Sequence, residues 1–176
     1  MLVNSDKTYI VRSGPIKQNK TYYAGKDPIK FISSMRDLGL QYSQDGSYRD
    51  QIDIAKTKAA RKANWVLRVF KNRSIDFFQT VWKALIRPHL DYGSPVWAPT
   101  YQKDITKIED VLRNFSRRCP AISSLHYWDR LKALKLSSCE RRIERYIIIY
   151  TFKILRGEVD DPGAFTTRYT IKRGTL

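Results

Sequence analysis

The stretch SYRDQIDIAKTKAARKANWVLRVF, residues 47–70, decides the fold because it contains the longest helical pattern in the chain. Its apolar residues recur at steps of three and four positions: Tyr48, Ile52, Ala55, Ala59, Ala63, Val66 and Phe70. This spacing predicts an amphipathic helix of about six turns. Ser47, followed three residues later by Asp50, has the pattern of a capping box and predicts that the helix begins there.

A second set of side chains, basic with one tryptophan, recurs at helical spacing on a neighbouring face of the same stretch. It consists of Lys58, Arg61, Lys62, Trp65 and Arg68. Cations in such a row can contact phosphates, and an indole ring can stack on a base or a sugar. An equally open alternative is that Trp65 belongs to the core and that the cations are merely solvated.

The segments on either side of this helix differ in their patterns. Before it, the chain up to about Ser43 contains short β-prone segments separated by turn residues. After it, Ser74 as N-cap and Asp76 in the first turn predict a second helix, which Pro88 should end or kink near Arg87. The core stripe expected for this second helix is Ile75, Phe78, Trp82 and Leu85.

Three further helical patterns complete the chain. The third helix should run from about Lys103 to Arg118, and a short fourth helix lies in HYWDRLKALKL. The fifth should open at Ser137, with Glu140 at the capping-box position, and end near Gly157. The core residues expected for the third helix are Ile105, Ile108, Leu112 and Phe115.

These patterns predict an α+β fold that is mainly α. A small N-terminal antiparallel hairpin or sheet should precede a bundle of about five helices. We expect three segments, a strand-and-turn segment, a helical region and an irregular tail, at residues 1–46, 47–160 and 161–176.

The overall charge restricts the classes of partner. With 33 Lys and Arg against 17 Asp and Glu, the chain carries a net charge of +16. Such a charge repels itself, and its usual compensating partner is a polyanion such as nucleic acid. No apolar run approaches the ~20 residues of a membrane span, so no membrane is expected as a partner. Cys119 and Cys139 have neither metal nor disulfide spacing, which favours buried thiols and an intracellular location, in the nucleus or the cytoplasm.

The sequence contains no recognised arrangement of catalytic residues. His89 and His126 are the two histidines, and neither lies in a known catalytic motif. No zinc-protease, nucleotide-phosphate or dinucleotide-binding motif occurs. Asp160 and Asp161 are adjacent, but next to Pro162 they indicate a loop after a helix end rather than a metal site. The sequence therefore predicts no catalytic residue, no metal site and no cofactor in this chain.

Five short segments carry a resemblance to a known family. In chain order they are RDLG, SQDGSY, RPHLDYGSPVWAP, DITKIEDVLR and SCERRIERYIIIY. In this order they resemble the C-terminal palm and thumb region of reverse transcriptases from non-LTR (LINE-type, Jockey-like) retrotransposons. The resemblance extends from about residue 4 to residue 160.

The resemblance implies a binding role without catalysis. Asp37, Leu38 and Gly39 are similar to the family's primer-grip strand, where a hairpin holds the 3′ end of the growing strand, and the helices match its thumb. Gly39 suits this role because a missing side chain lets a backbone come close. The family's catalytic aspartates, which hold two Mg²⁺ ions, have no counterpart here. The implied partners are an RNA/DNA primer–template and the missing palm and fingers of a parent RNA-directed DNA polymerase. This chain alone is expected to be inactive. The alternative is a degenerate copy that acts as a helical protein–protein scaffold.

Overall fold

Short strands precede the helices in the computed structural model, which describes residues 7–12 and 20–159. The strands are β1 (Tyr9–Ile10), β2 (Tyr23–Ala24), β3 (Asp27–Pro28), β4 (Lys30–Phe31), β5 (Ser34–Asp37) and β6 (Leu40–Ser43). β2–β3 and β5–β6 are antiparallel hairpins, as expected. β1 also pairs with β4 in parallel, a pairing that the sequence did not predict. The β2–β3 hairpin lies within the connection that this parallel pairing requires.

Helices make up most of the described chain. They are α1 (Arg49–Val69), α2 (Ile75–Val81), a π-helical segment (Trp82–Ile86), α3 (Pro88–Asp91), α4 (Ser94–Trp97), α5 (Gln102–Arg117), a 3₁₀ turn (Pro120–Ile122), α6 (Tyr127–Ala133) and α7 (Cys139–Leu155). The α+β, mainly α class is therefore confirmed. The helices outnumber the expected five because two one-turn helices, α3 and α4, follow Pro88. The three-segment division stays a prediction, and its tail, residues 161–176, lies outside the described residues.

The buried face of α1 agrees with its apolar spacing. The apolar residues buried along it are Ile52, Ala55, Ala59, Ala63 and Val66. Tyr48 is partly buried against the core, whereas Phe70 is 41 % exposed. Phe70 has already left the helix, with an extended backbone at ψ 132°, so it no longer follows the helical stripe.

The expected capping box at the start of α1 is absent. The Ser47 hydroxyl donates to Asp45 (2.8 Å), and Asp50 accepts instead from the Ser43 hydroxyl (3.0 Å). The helix begins one residue later than expected, at Arg49, after a Tyr48 N-cap that makes no side-chain capping bond. The Ser47 hydroxyl is therefore hydrogen-bonded within a tight turn at Asp45 and does not cap the helix.

The caps of two later helices come close to their expected positions. Ser74 caps α2, as predicted, because its hydroxyl accepts from the Phe77 N–H (3.3 Å). For α7 the cap is Ser138 rather than Ser137, and it accepts from the Arg141 N–H (3.3 Å). Neighbouring serines offer the same chemistry, so spacing alone could not choose between them.

The buried apolar stripe predicted for the second helix is shifted by one residue at the π-helical segment. The Arg87 N–H donates to the Trp82 carbonyl (2.9 Å), five residues earlier, and this wide turn adds one residue to the helical repeat. Leu85 was expected in the core but is 37 % exposed, and Ile86 is buried in its place. The predicted interruption near Arg87 is confirmed, because Pro88 lacks the N–H that a continuing helix needs.

The core lies where α1, α2, the π-helical segment and α5 meet. The Phe78 and Phe115 ring centroids are 4.8 Å apart, and the Trp82 ring stacks on Phe115 at 5.7 Å. Ile108 and Leu112 are buried with Phe115 as predicted, while Ile105 is partly buried. The two cysteines, Cys119 and Cys139, are buried free thiols, as their positions suggested.

A buried carboxylate fixes α7 against α5. Glu109 on α5 accepts from the N–H groups of the first two residues of α7, Cys139 (2.8 Å) and Glu140 (3.3 Å). The Tyr127 hydroxyl on α6 also donates to Glu109. Burial raises the pKa of Tyr127 far above its ordinary value, and the negative Glu109 raises it further, so the phenol keeps its proton. Three helices are thus joined by one acidic side chain.

Candidate nucleic-acid interface

The predicted cations of α1 lie outside its buried stripe. We call Lys58, Arg61, Lys62, Trp65 and Arg68 the basic face. Lys58, Arg61 and Arg68 are exposed, and Lys62 is partly buried. Within the described part of the chain none of these four cations forms an ion pair. Their charges are therefore not compensated by neighbouring carboxylates and are available to an anionic ligand.

Trp65 belongs to the surface and not to the core. Its side chain is 47 % exposed, and the Lys62 ammonium lies 4.8 Å from its ring centroid. Phe70 meets the ring edge-to-face at 6.2 Å, which holds the indole at the C-terminal end of α1. An exposed ring next to a cation suits a nucleotide, whose base or sugar can stack while its phosphate meets the lysine.

The primer-grip-like residues form the turn of the β5–β6 hairpin. Asp37 pairs with Leu40, and Leu38 and Gly39 between them have positive φ angles of 46° and 85°. Two positive φ values in a two-residue loop are characteristic of a tight hairpin turn of the primed type. The Leu38 side chain is 82 % exposed, so the turn projects an apolar tip from the protein.

The hairpin turn is attached to the link that follows α3. The Tyr92 hydroxyl donates to the Leu38 carbonyl (2.6 Å), and a Cβ on Gly39 would lie 3.4 Å from the Tyr92 ring. The neighbour on the Cβ side of Gly39 is therefore the Tyr92 ring. Gly93 is equally tight, because a Cβ there would lie 2.9 Å from the Leu40 side chain.

A groove joins the hairpin to the basic face. The Gln41 N–H on β6 donates to the Gln51 side chain on α1 (3.0 Å), which ties strand to helix. The residues that line the groove are Gln41, Asp50, Asp53, Ile54, Thr57, Lys58 and Arg61. Its acidic end is occupied by internal partners, since Asp50 accepts from Ser43 and Asp53 pairs with Lys107 (3.0 Å). The positive end at Lys58 and Arg61 stays open to an anion.

His89 is a neighbour of the basic face that the sequence did not reveal. Burial lowers the pKa of His89 on α3, and the positive charges of Lys62 and Lys58 lower it further. The imidazole is therefore neutral at neutral pH and able to accept a hydrogen bond. His126, the other histidine, is exposed at the N-cap of α6.

The structure brings some of the predicted site residues together and separates others. Lys58 and Arg61 share the groove with β6, whereas Lys62 and Trp65 contact each other one turn further along. Arg68 lies in the last turn of α1. The missed neighbours, Gln41, Gln51, His89 and Tyr92, have no distinguishing local signal, because each is defined by a contact with a different element.

The described residues do not form a cluster of metal-binding side chains. In the part of the chain that the structure describes, no three His, Cys, Asp or Glu side chains are grouped so that they could hold a metal ion. The described residues therefore do not supply the clustered carboxylates that the two Mg²⁺ ions of the implied polymerase family would need. Asp160 and Asp161, which we interpreted as a loop, lie outside the described residues.

Comparison with known proteins yields one informative similarity. The uncharacterized protein B0403.1 of Caenorhabditis elegans is 24 % identical to this chain over 137 residues, which cover 76 % of this chain and 69 % of that protein. Its name states no activity, so the similarity transfers none. No family model and no solved structure match the chain. In the described residues, every helix is too short or too polar to cross a lipid bilayer.

Proposed function

We propose that this chain binds the sugar-phosphate backbone of an RNA/DNA primer–template without sequence preference, as the palm-end and thumb region of a non-LTR reverse transcriptase. The observation that carries the proposal is the basic face, a row of unpaired cations on one helix next to an exposed indole. The ordered resemblance of five segments to that polymerase family supports the same conclusion.

Binding would position the duplex and leave its sequence unread. Lys58 and Arg61 would meet phosphates at the open end of the groove, and Lys62 with Trp65 would hold the next nucleotide along the strand. Contacts to phosphates fix register and orientation but carry no base information. The hairpin turn with its exposed Leu38 would lie against the end of one strand, which is the role of the primer grip.

Salt dependence of binding provides the test. The affinity of the full chain for a short RNA–DNA hybrid, measured by fluorescence anisotropy, should fall with salt with a log–log slope of about −3 to −6. Replacing Lys58, Arg61, Lys62 and Arg68 together by Gln should weaken binding about tenfold or more and flatten the slope by up to about 3. All four positions lie outside the core, so the folding of the variant should be unchanged.

A charge-matched variant separates the basic face from the overall charge. Lys26, Lys30, Arg141 and Arg145 are exposed cations away from α1, and their replacement by Gln removes the same net charge. This control should lose little affinity. If both variants weaken binding equally, the basic face is not the site. If the parent chain shows no affinity at about 50 mM salt, the function would be that of a protein–protein scaffold instead.

We also propose an intracellular location, in the nucleus or the cytoplasm. Both cysteines are free and buried, which suits a reducing compartment where nucleic-acid substrates occur.

A further inference from the structure

The second half of α7 exposes apolar side chains on most of its circumference. Leu155 is 75 % exposed, Ile148 67 % and Phe152 55 %, and Ile147, Ile149 and Tyr150 are exposed as well. In this half Ile154 is the buried apolar residue. A helix that is apolar all round is stable in water only when something covers it. This half of α7 therefore lacks a partner within the described part of the chain.

A groove runs beside this half of α7. Its residues come from α7 and from the α3–α4 corner, and we call it the α7 groove: Pro88, Asp91, Tyr92, Pro95, Tyr146, Ile149, Tyr150 and Lys153. The α7 residues in it follow the spacing i, i+3, i+4 and i+7, so they form one straight ridge about 10 Å long. The opposite wall consists of two prolines, a tyrosine and one acid, Asp91.

The shape of the α7 groove selects a helical occupant. Its walls are helix surfaces and a proline-rich corner, and they present no free strand edge to which an extended peptide could add. An amphipathic helix, in contrast, needs only apolar pockets at the spacing of its own turns. Two or three turns of such a helix would cover Ile149 and Tyr150 and, further along α7, Phe152 and Leu155.

The charges around the α7 groove select an acidic occupant. Lys153 has no ion pair among the described residues, and Arg145 is likewise unpaired and exposed. The one acid in the groove, Asp91, is already neutralised by Arg142 (2.7 Å) and Arg87 (3.2 Å). A second copy of this chain would bring another +16 of charge to the same place, which disfavours self-pairing.

We propose that the α7 groove docks an amphipathic helix of another protein whose apolar face is flanked by Asp and Glu. The inference is independent of nucleic-acid binding, because the lining residues are separate from the basic face on α1.

A pair of synthetic helical peptides tests the proposal. Both carry the same leucine face at i, i+3, i+4 and i+7; one has Glu at the flanking positions and the other has Lys. By fluorescence anisotropy the Glu peptide should bind the full chain at least about tenfold more tightly than the Lys peptide. Ile149→Glu should abolish binding of the Glu peptide, because it places a charge in the apolar groove.

A charge reversal sharpens the test. Lys153→Glu should weaken binding of the Glu peptide and strengthen binding of the Lys peptide. Lys135 is an exposed lysine before α7, and the control Lys135→Glu should change the binding of neither peptide. The variant with four Gln substitutions on the basic face should bind the Glu peptide like the parent chain. Retained peptide binding together with lost duplex binding would therefore separate the two surfaces.

Three other results would overturn the proposal. Equal binding of both peptides would show that the groove does not select charge. A dimer in sedimentation velocity that Ile149→Glu dissociates would identify a second copy as the occupant. Cosedimentation with phosphatidylserine vesicles that Ile149→Glu abolishes, with no peptide binding, would identify a lipid surface.

Discussion

Glu109 is an acidic residue on which three helices depend. Its carboxylate accepts from the first two N–H groups of α7 and from the Tyr127 hydroxyl, so it acts as an anionic cap at a helix N-terminus inside the protein. In the sequence Glu109 looks like any charged residue of an amphipathic helix, because its partners lie 18 to 31 positions away.

Glu109→Gln should destabilise the protein by about 2 to 3 kcal/mol. The neutral amide loses the charge that strengthens the bonds from the Cys139 and Glu140 N–H groups. Its NH₂ would face the Tyr127 hydroxyl, which must then accept, so the buried hydroxyl proton loses its partner. Urea unfolding followed by circular dichroism measures the loss. Glu144→Gln, an exposed glutamate on α7, is the matched control and should change stability by less than about 0.5 kcal/mol. Equal stability of the two variants would contradict the capping role.

His89 should make stability depend on pH. Its pKa is lowered in the folded protein by burial and by Lys62 and Lys58, so the unfolded chain takes up a proton first as the pH falls. The folded state is therefore destabilised as the pH drops from about 6.5 toward the lowered value. His89→Gln should lose less stability over this window than the parent chain. If both proteins lose the same amount of stability between about pH 7.5 and pH 5.5 in thermal unfolding, the pKa of His89 is not lowered in the folded protein.

Among elements, the β5–β6 hairpin is held by contacts at two places. Gln51 on α1 binds the Gln41 N–H, and Tyr92 after α3 binds the Leu38 carbonyl at the turn. Strands of four residues in a two-stranded hairpin are marginal in water by themselves, so these contacts decide whether the turn keeps its position. Through Gln51, the hairpin that carries the primer-grip-like turn is attached to α1, the helix that carries the basic face.

Tyr92→Phe should loosen the hairpin selectively. Loss of the hydroxyl removes one hydrogen bond worth about 1 kcal/mol, so amides of β5 and β6 should exchange about fivefold faster. Hydrogen exchange followed by mass spectrometry would detect this change, while global stability should fall by no more than about 1 kcal/mol. Tyr101→Phe, an exposed tyrosine of the same link, should leave exchange unchanged. Unchanged exchange in Tyr92→Phe would mean that Gln51 alone holds the hairpin.

At the scale of the whole molecule, binding to a polyanion and phosphoryl transfer require different features of the protein. The chain has a net charge of +16, yet the described residues contain no group of side chains placed to hold a metal. Electrostatic attraction to a polyanion needs only charge and shape, whereas phosphoryl transfer needs carboxylates that fix metal ions at set distances.

The purified chain should therefore not extend a primer. An assay with a labelled RNA–DNA primer–template, nucleotides and either Mg²⁺ or Mn²⁺ should show no incorporation above background. A commercial reverse transcriptase in parallel verifies the substrate. Incorporation that depends on the purified chain and on the metal would contradict the prediction that this chain alone is inactive.

What the sequence determined by itself is local: the buried stripe of α1, the segregation of its cations, the Ser74 cap and the interruption at Pro88. These features depend on residues within a few turns of one another, so spacing and side-chain type suffice to predict them. The resemblance to a polymerase region also came from the sequence and stays a prediction.

The tertiary structure decided the features that join distant parts of the chain. It buried Ile86 in place of Leu85 and docked the hairpin turn on Tyr92 across 54 positions. Among the described residues, it also left most of the apolar side chains in the second half of α7 exposed. Each depends on which surfaces meet and on the shape that remains between them. A periodic pattern shows that a helix has an apolar side, but it does not show whether a neighbour from the same chain will cover that side.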